Sequence, residues 1–478
     1  MKVAIFDPLR TVVPHFETEL EIAQRHRDAG DRVEFVACLG GLECCDFNPD
    51  GLAERCADCV GRRAAGTRLL SGRVRVTPLA LESPSAEIPP SIFGSIEQLK
   101  SYQIENFDVG YATLSSLVSI CRDPEPDLAK YRGLVERLVR GAIATFRQTQ
   151  HYGSTQRPDL VYVFNGRFAA TRAVLRACQS LGIECRIHER GCDQNHFQIF
   201  ENRLPHDIDY MQARIRAAWS QAAGDPRREA IAVSWFTDRV ARVERNWKSF
   251  VKDQVVGRLP LNWDATARNV AVFTSSEDEF VSIGDSWRNR LYPSQLEALR
   301  SLIADLPRLD SRTRLTIRVH PNLRGVENSS TRGIMGLAGP RVAVIAAGDV
   351  VDSYELLRRS DAVVTFGSSI GIEAVFWERP SIVLGPSFYQ GFPGLYEPDS
   401  HDALIGLLSK LLPPQSDRSG ALMYGYWFQT HGEPFKYFAP DGLFSGKYRG
   451  QLVYADSRPG RWARMSGKFG KLLARPAA

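Results

Sequence analysis

Residues 361–385, DAVVTFGSSIGIEAVFWERPSIVLG, set two glycines and two serines between an apolar run and a helical pattern. Gly367-Ser368-Ser369-Ile370-Gly371 follows the run Ala362 to Phe366. Ile372, Val375 and Phe376 then recur at helical spacing, and a second apolar run starts at Pro380. Strand, small-residue turn, helix and strand make a βαβ unit, whose turn lies where a parallel sheet binds ligands. Small residues admit a phosphate close to the backbone, and a helix start adds free N–H groups. Glu373, one turn into the helix, is placed to accept from ribose hydroxyls. The same spacing also describes a tight turn whose small residues serve only packing.

A second cluster lies at 38–59, where Cys38, Cys44, Cys45, Cys56 and Cys59 crowd together. Cys56-x-x-Cys59 is half of a metal-chelating pattern, and Cys38 with Cys44 or Cys45 would supply the other half. A set such as Cys38, Cys44, Cys56 and Cys59 predicts a structural zinc. An iron–sulfur cluster, a redox pair and unlinked thiols are the alternatives. Four thiolates leave no open coordination position, so the expected role is a clip on a long loop beside the site. Cys121, Cys178, Cys185 and Cys192 are scattered and read as small buried apolar residues.

The chain has 478 residues, too many for one core, so two domains are expected. Its 44% hydrophobic and 24% charged residues are those of a soluble globular protein. A net charge of +5 at this length, without an aromatic-rich basic groove motif, argues against nucleic-acid binding. No apolar run is long enough to span a bilayer, and the start lacks an export pattern, so a cytoplasmic protein without a disulfide framework is expected.

Alternating patterns order the first half: strand 3–7, helix 16–29, strand 32–38, helical periodicity over 126–149, strand 159–164, helix 168–181 and strand 183–189. Charged helical stretches fill 206–250. A second series then supplies strands at 269–274, 314–319, 342–346, 362–366 and 381–384. Alternation of this kind predicts an α/β fold with parallel sheets. The expected architecture is two Rossmann-like domains facing a cleft, 1–254 and 255–444, with a basic tail at 445–478. That tail carries Lys447, Arg449, Arg458, Arg461, Arg464, Lys468, Lys471 and Arg475 against Asp456, with Trp462, Phe469, Leu472 and Leu473 between. It suits either peripheral contact with the inner membrane face or a solvated tail.

TSSEDE (274–279), RVHPN (318–322) and TFGSSIGIEA (365–374) resemble the donor half of GT-B glycosyltransferases, more narrowly the bacterial capsule and surface-polysaccharide transferases. HFETELEIA (15–23), FNGRFAATRAVLRAC (164–178) and HERG (188–191) are similar to stretches of polysaccharide transferases. The resemblance spans most of residues 1–440. It implies transfer of a sugar from a nucleotide-sugar donor, bound mainly by the second domain, to a glycan or lipid-linked acceptor bound mainly by the first. It also implies that the His320 imidazole touches donor phosphates, where charge develops on the departing nucleotide. A histidine that only caps a strand end is the plainer reading.

Ser275 and Ser276 follow another strand and offer hydroxyls and N–H groups to the same diphosphate. Asp278 and Glu279 read as caps or sugar-hydroxyl contacts. The chain has no convincing Asp-x-Asp diphosphate–metal motif, so no catalytic divalent ion is expected. An inverting transferase needs a general base. His15, after the first strand, has a suitable ordinary pKa; Glu17 at a helix start and Glu189 at a strand end are the carboxylate candidates. A retaining mechanism would not need this base. Asn165 and Arg167 are placed to orient acceptor hydroxyls or a phosphate, or else to form an Asn-Gly turn. A nucleotide-sugar epimerase and a non-catalytic nucleotide- or glycan-binding protein are the competing functions.

Overall fold

The computed structural model describes residues 1–9, 12–79, 93–413 and 416–453. The basic positions from Arg458 to Arg475 lie outside the described residues. The described chain divides into two compact units. One comprises 1–207, 245–247 and the segment from His431; the other comprises 208–244 and 248–430.

The first unit is built on β1 (Lys2–Asp7), β2 (Arg32–Ala37), β3 (Arg75–Pro78), β4 (Leu160–Phe164), β5 (Glu184–Arg190) and β6 (His196–Glu201). Its sheet runs β3-β2-β1-β4-β5 in parallel, then adds β6 and a two-residue strand, Glu433–Pro434, antiparallel at the edge. Apart from Lys2, β1 is buried throughout, and so is all of β4. A central parallel strand covered by helices on both faces has this apolar character. Val3, Ile5, Leu160 and Tyr162 form its core with Phe16 and Leu20 of the helix His15–Asp28. The strand order reverses between β1 and β4, so their C-terminal ends open a crevice.

The second unit holds β7 (Arg268–Phe273), β8 (Thr313–Arg318), β9 (Val342–Ile345), β10 (Ala362–Thr365), β11 (Ser381–Val383) and β12 (Leu395–Tyr396). Their order is β12-β11-β10-β7-β8-β9, parallel in every pairing. This is the doubly wound six-strand arrangement, and its switch point lies between β7 and β10. Val270, Val272, Leu315, Ile317, Val364 and Ile382 carry the core under the helices Gln295–Ala304 and His401–Leu408.

Two Rossmann-like units are therefore present, but their division is not the one expected at 254 and 444. Residues 208–244 belong to the second unit because of how their helix Arg228–Val240 is packed. Phe236 stacks on Phe376 at 3.9 Å, and a Cβ at Gly425 would stand 2.5 Å from the Ala232 carbonyl oxygen. From His431 the chain returns to the first unit, where the Glu21 carboxylate accepts from the N–H groups of Lys436, Tyr437 and Phe438. The expected tail opens as a hairpin strand, Ser445–Tyr448, paired with Phe438–Gly442. Arg449 donates to Gln24 and to the Leu69 carbonyl, so it is docked on its own unit. Among the described residues, no helix is long and apolar enough to cross a membrane.

Candidate functional site

In the second unit, the sequence-predicted residues converge on the ends of β7, β8 and β10. Gly367 has φ +96°, and a Cβ there would lie 2.2 Å from the Pro386 carbonyl oxygen. A Cβ on Gly371 would stand 2.7 Å from both Thr365 Cγ2 and the Tyr389 hydroxyl, which itself donates to the Ser368 carbonyl. Both glycines thus have packing reasons. Ser368 and Ser369 are the half-exposed part of the turn. The helix behind them, Ile370–Phe376, is only seven residues long. Its dipole is correspondingly small, which leaves anion binding to side chains.

Glu373 is 1% exposed. It accepts from the Tyr354 hydroxyl at 2.6 Å and from Ser369 Oγ at 3.0 Å, and it pairs with Arg239 Nη2 at 3.0 Å. This corrects the expectation that it receives a ribose: its carboxylate is committed inside the unit. Arg239 also donates to Ser369 Oγ at 3.0 Å and lies over the Trp235 ring. Burial works against its charge, but Glu373 and Tyr354 more than offset this and raise its pKa. Its side chain keeps 39% exposure, so a permanent cation stands beside the turn. Sequence reading missed Arg239 because residues 206–250 carry many arginines and no motif singles one out.

Ser275 is also differently employed than expected. Its N–H donates to Gln295 Oε1 at 2.6 Å and its hydroxyl to the Phe366 carbonyl at 3.1 Å, tying the two switch-point turns together. Ser276 is 3% exposed, donates to Asp278 at 2.7 Å and accepts from Asn322 Nδ2 at 3.3 Å. Asn322 bonds Glu279 as well, so these acids brace a loop. His320 is half-buried, and its Nδ1 accepts from the Asn322 N–H at 3.2 Å. A neutral His320 therefore carries its proton on Nε2, the form that donates to an oxyanion.

In the first unit, His15 follows β1, while Asn165 and Arg167 follow β4, so all three lie at the switch point. Asn165 (φ +57°) and Gly166 (φ +75°) form a left-handed pair, with Asn165 Oδ1 accepting from the Arg167 N–H at 3.2 Å. The turn reading is therefore correct, and it directs the Asn165 amide to the Glu189 carboxylate. Burial raises the Glu189 pKa above the usual carboxylate value. Glu17 is 2% exposed and paired with Arg62 at 2.6 Å, which removes it as a base. His15 packs on Phe164 with ring centroids 4.1 Å apart. Burial, then the neighbouring Arg190, His188 and Arg62 side chains, hold its pKa well below 6.5.

A buried pair lies behind it. His188 Nε2 is 3.4 Å from Glu19 Oε1, and both side chains have no surface. Burial lowers His188 to about 3. Burial, reinforced by Asp7, raises Glu19 well above the usual range, so the pair is neutral, with the carboxylic acid donating. The signal for Glu19 was in the sequence: Glu17, Glu19 and Glu21 alternate, which puts acids on opposite sides of a helix that also buries Phe16, Leu20 and Ile22. The unfolded chain protonates His15 and His188 near pH 6.5 and the folded chain only at lower pH. Stability of this unit should fall as pH drops from about 6.5 towards 3, by roughly 1.4 kcal/mol per pH unit per histidine. Glu19 opposes this, since it holds its proton in the fold. Urea midpoints between pH 6.5 and 4.5 should shift less in His188→Gln than in the unsubstituted chain.

All five cysteines of the 38–59 loop line one cavity of about 30 Å³, with Pro8, Leu9 and Gly40. Burial pushes the Cys44 thiol up to about 11, beside Arg137, Asp46 and Glu43, and the Cys45 thiol up to about 12, beside Asp46, Cys59 and Cys38. Among the described residues, three ligand atoms lie within 4.8 Å of one another at Cys192, Asp193 and His196. There Asp193 Oδ1 accepts from the Asn195 N–H at 2.8 Å and sits 2.6 Å from His196 Nδ1, bonds that make the β5–β6 turn.

No curated protein sequence matches the chain. Solved structures to which it is similar include Thermosulfurimonas dismutans KpsC, a beta Kdo 2,4 transferase, at 12% identity, covering 56% of this chain and 79% of that one with a TM-score of 0.37. The beta Kdo 2,7 transferase of the same name is 13% identical over 63% and 87%, with a TM-score of 0.35. The UDP-GlcNAc 2-epimerase of Methanocaldococcus jannaschii is 9% identical over 89% and 98%, with a TM-score of 0.27. Likenesses at these scores do not bear on activity. Residues 276–403 match the family described as "Capsule polysaccharide biosynthesis protein", so over that stretch the resemblance read from the sequence holds.

Proposed function

We propose that the protein is a glycosyltransferase that moves a sugar from a nucleotide-sugar donor to a glycan or lipid-linked acceptor in surface-polysaccharide biosynthesis. One observation chiefly supports this reading. The stretch that matches the capsule biosynthesis family contains both His320 and the Ser368–Ser369 turn, at ends of β8 and β10, the two strands that flank β7. The donor phosphates lie at that turn. His320 Nε2–H, the Ser368 hydroxyl and the Arg239 guanidinium neutralise charge as the nucleotide departs. Glu373 and Tyr354 hold Arg239 and Ser369 in place. Charge neutralisation by these groups requires no divalent ion.

The acceptor lies at the ends of β1 and β4, where Arg167 orients it and the Asn165 turn holds Arg167 in position. His15, neutral at pH 7, takes the hydroxyl proton, and attack opposite the leaving nucleotide inverts the anomeric centre. Glu189 is the second candidate for that proton.

Isothermal titration with CMP, CDP, GDP and UDP, followed by turnover of the matching sugar nucleotide with and without added glycan, tests the reading. Product that forms only with glycan supports transfer. Isomerised donor without glycan would show an epimerase instead, and binding without turnover would remove both activities. Arg239→Ala should weaken binding of the preferred nucleotide about 10- to 100-fold while leaving its phosphate-free nucleoside unaffected. Equal losses for both ligands would exclude a phosphate contact. Arg300→Ala, on an exposed helix face, is the control.

A further inference from the structure

The 38–59 loop carries chemistry that glycosyl transfer does not use. Cys38 leaves the end of β2, Cys45 sits on a tight bend, and Cys56 and Cys59 share one face of the helix Ala53–Thr67. Three separate backbone segments therefore deliver thiols to one small cavity. Clustered free thiols do not stabilise a fold by themselves, and each would be replaceable by alanine or valine.

Two side chains already donate to sulfurs of this cavity. Asn48 Nδ2 donates to Cys56 Sγ at 3.3 Å, and Arg63 Nη2 donates to Cys59 Sγ at 3.6 Å. Asn48 also closes the loop on itself: its backbone exchanges two hydrogen bonds with Cys45, and its side chain accepts from the Leu52 N–H at 2.9 Å. Arg63 joins the ends of β1 and β2, pairing with Asp7 at 2.5 Å and donating to the Cys38 carbonyl at 2.7 Å. Arg55 lines the same cavity. Arg63 is already neutralised by Asp7, so Arg55 is the added cation beside a site where four thiolates and one divalent ion would leave two negative charges. Donors to the sulfurs and cations around them are the outer partners that a thiolate–metal centre needs.

We infer that Cys38, Cys45, Cys56 and Cys59 bind one divalent ion of the zinc type in a closed tetrathiolate site that staples the loop to the ends of β1 and β2. Cys44 is set apart because its charged neighbours are Arg137, Asp46 and Glu43, whereas those of Cys45 include Cys59 and Cys38. Among the described residues no three of these sulfurs lie within 4.8 Å of one another, so the loop side chains must move to close around an ion. Sulfur prefers zinc over magnesium or calcium, and four ligands leave no position for substrate, so the ion is structural.

The test is metal analysis of the full chain purified without chelator, with cobalt substitution as the spectroscopic check. One zinc per chain is expected, together with intense thiolate-to-cobalt charge transfer after replacement. Cys45→Ser, Cys56→Ser and Cys59→Ser should each lose the ion, while Cys44→Ser and Cys192→Ser keep it. Should a ligand variant fail to fold, a strong chelator applied to the unsubstituted chain replaces it. The melting temperature should then fall by about 5 °C or more and recover on adding zinc. Less than a tenth of an equivalent of metal overturns the inference, as does an iron–sulfur chromophore, or loss of zinc in Cys44→Ser with retention in Cys45→Ser. None of these readouts depends on catalysis.

Discussion

Replacing His15 with glutamine is expected to lower turnover about 10²- to 10⁴-fold, the usual contribution of a positioned general base. Donor affinity should stay unchanged, because His15 belongs to the first unit and the side chains proposed to bind phosphate belong to the second. The reason for the size of the effect is the environment of the ring. Burial and three neighbouring cationic or cationisable groups keep His15 deprotonated at neutral pH, so nearly every molecule carries it in the basic form. The acid limb of kcat/KM should accordingly lie below pH 6.5. Single-turnover rates with saturating donor give the comparison, and the pH profile provides a second readout. Turnover within threefold of the unsubstituted enzyme would transfer the role to Glu189, whose pKa burial raises. Glu189→Gln should then show the loss instead.

Gly367→Ala is expected to destabilise the second unit by about 3 kcal/mol or more. Two penalties combine at this position. The backbone sits at φ +96°, which costs an L side chain, and the new Cβ would meet the Pro386 carbonyl oxygen at 2.2 Å. That oxygen belongs to the backbone after β11, so it cannot swing aside as a flexible side chain would. The midpoint of urea unfolding, followed through Trp287 and Trp377 of this unit, measures the loss. Ser368→Ala, in contrast, should leave the midpoint within about 0.5 kcal/mol and weaken nucleotide binding. A small effect at Gly367 would mean that the turn can open, and that its shape does not position the serines.

The sheets were legible because their strands are short, apolar on both faces and separated by helical periodicity. Ala362 to Phe366 and Val3 to Asp7 carry that signature most clearly. β3 escaped notice because Arg75-Val-Thr-Pro is short and half-exposed. β6 escaped because His196 to Glu201 mixes apolar and polar residues at the edge. The site was legible by position more than by role. Gly367, Ser369, His320, Asn165 and His15 all lie at the predicted strand ends. Yet Ser275, Ser276, Glu17 and Glu373 turn out to be braces, since sequence spacing does not show which lone pairs are already taken. Arg239 required coordinates, being a single arginine among many.

The return of the chain at His431 also sets the order of events during synthesis. β6 gains its outer partner from Glu433–Pro434, and the buried Glu21 carboxylate gains its three backbone donors from residues 436–438. All of these emerge from the ribosome more than 200 residues after the rest of the first sheet. At about 5–20 residues per second, the first unit waits on the order of tens of seconds with an open sheet edge and with Glu21 held by Arg25 alone. The second unit, whose strands are complete by Tyr396, has every element of its sheet in hand before the first one does. The unit translated first is therefore the one that finishes last.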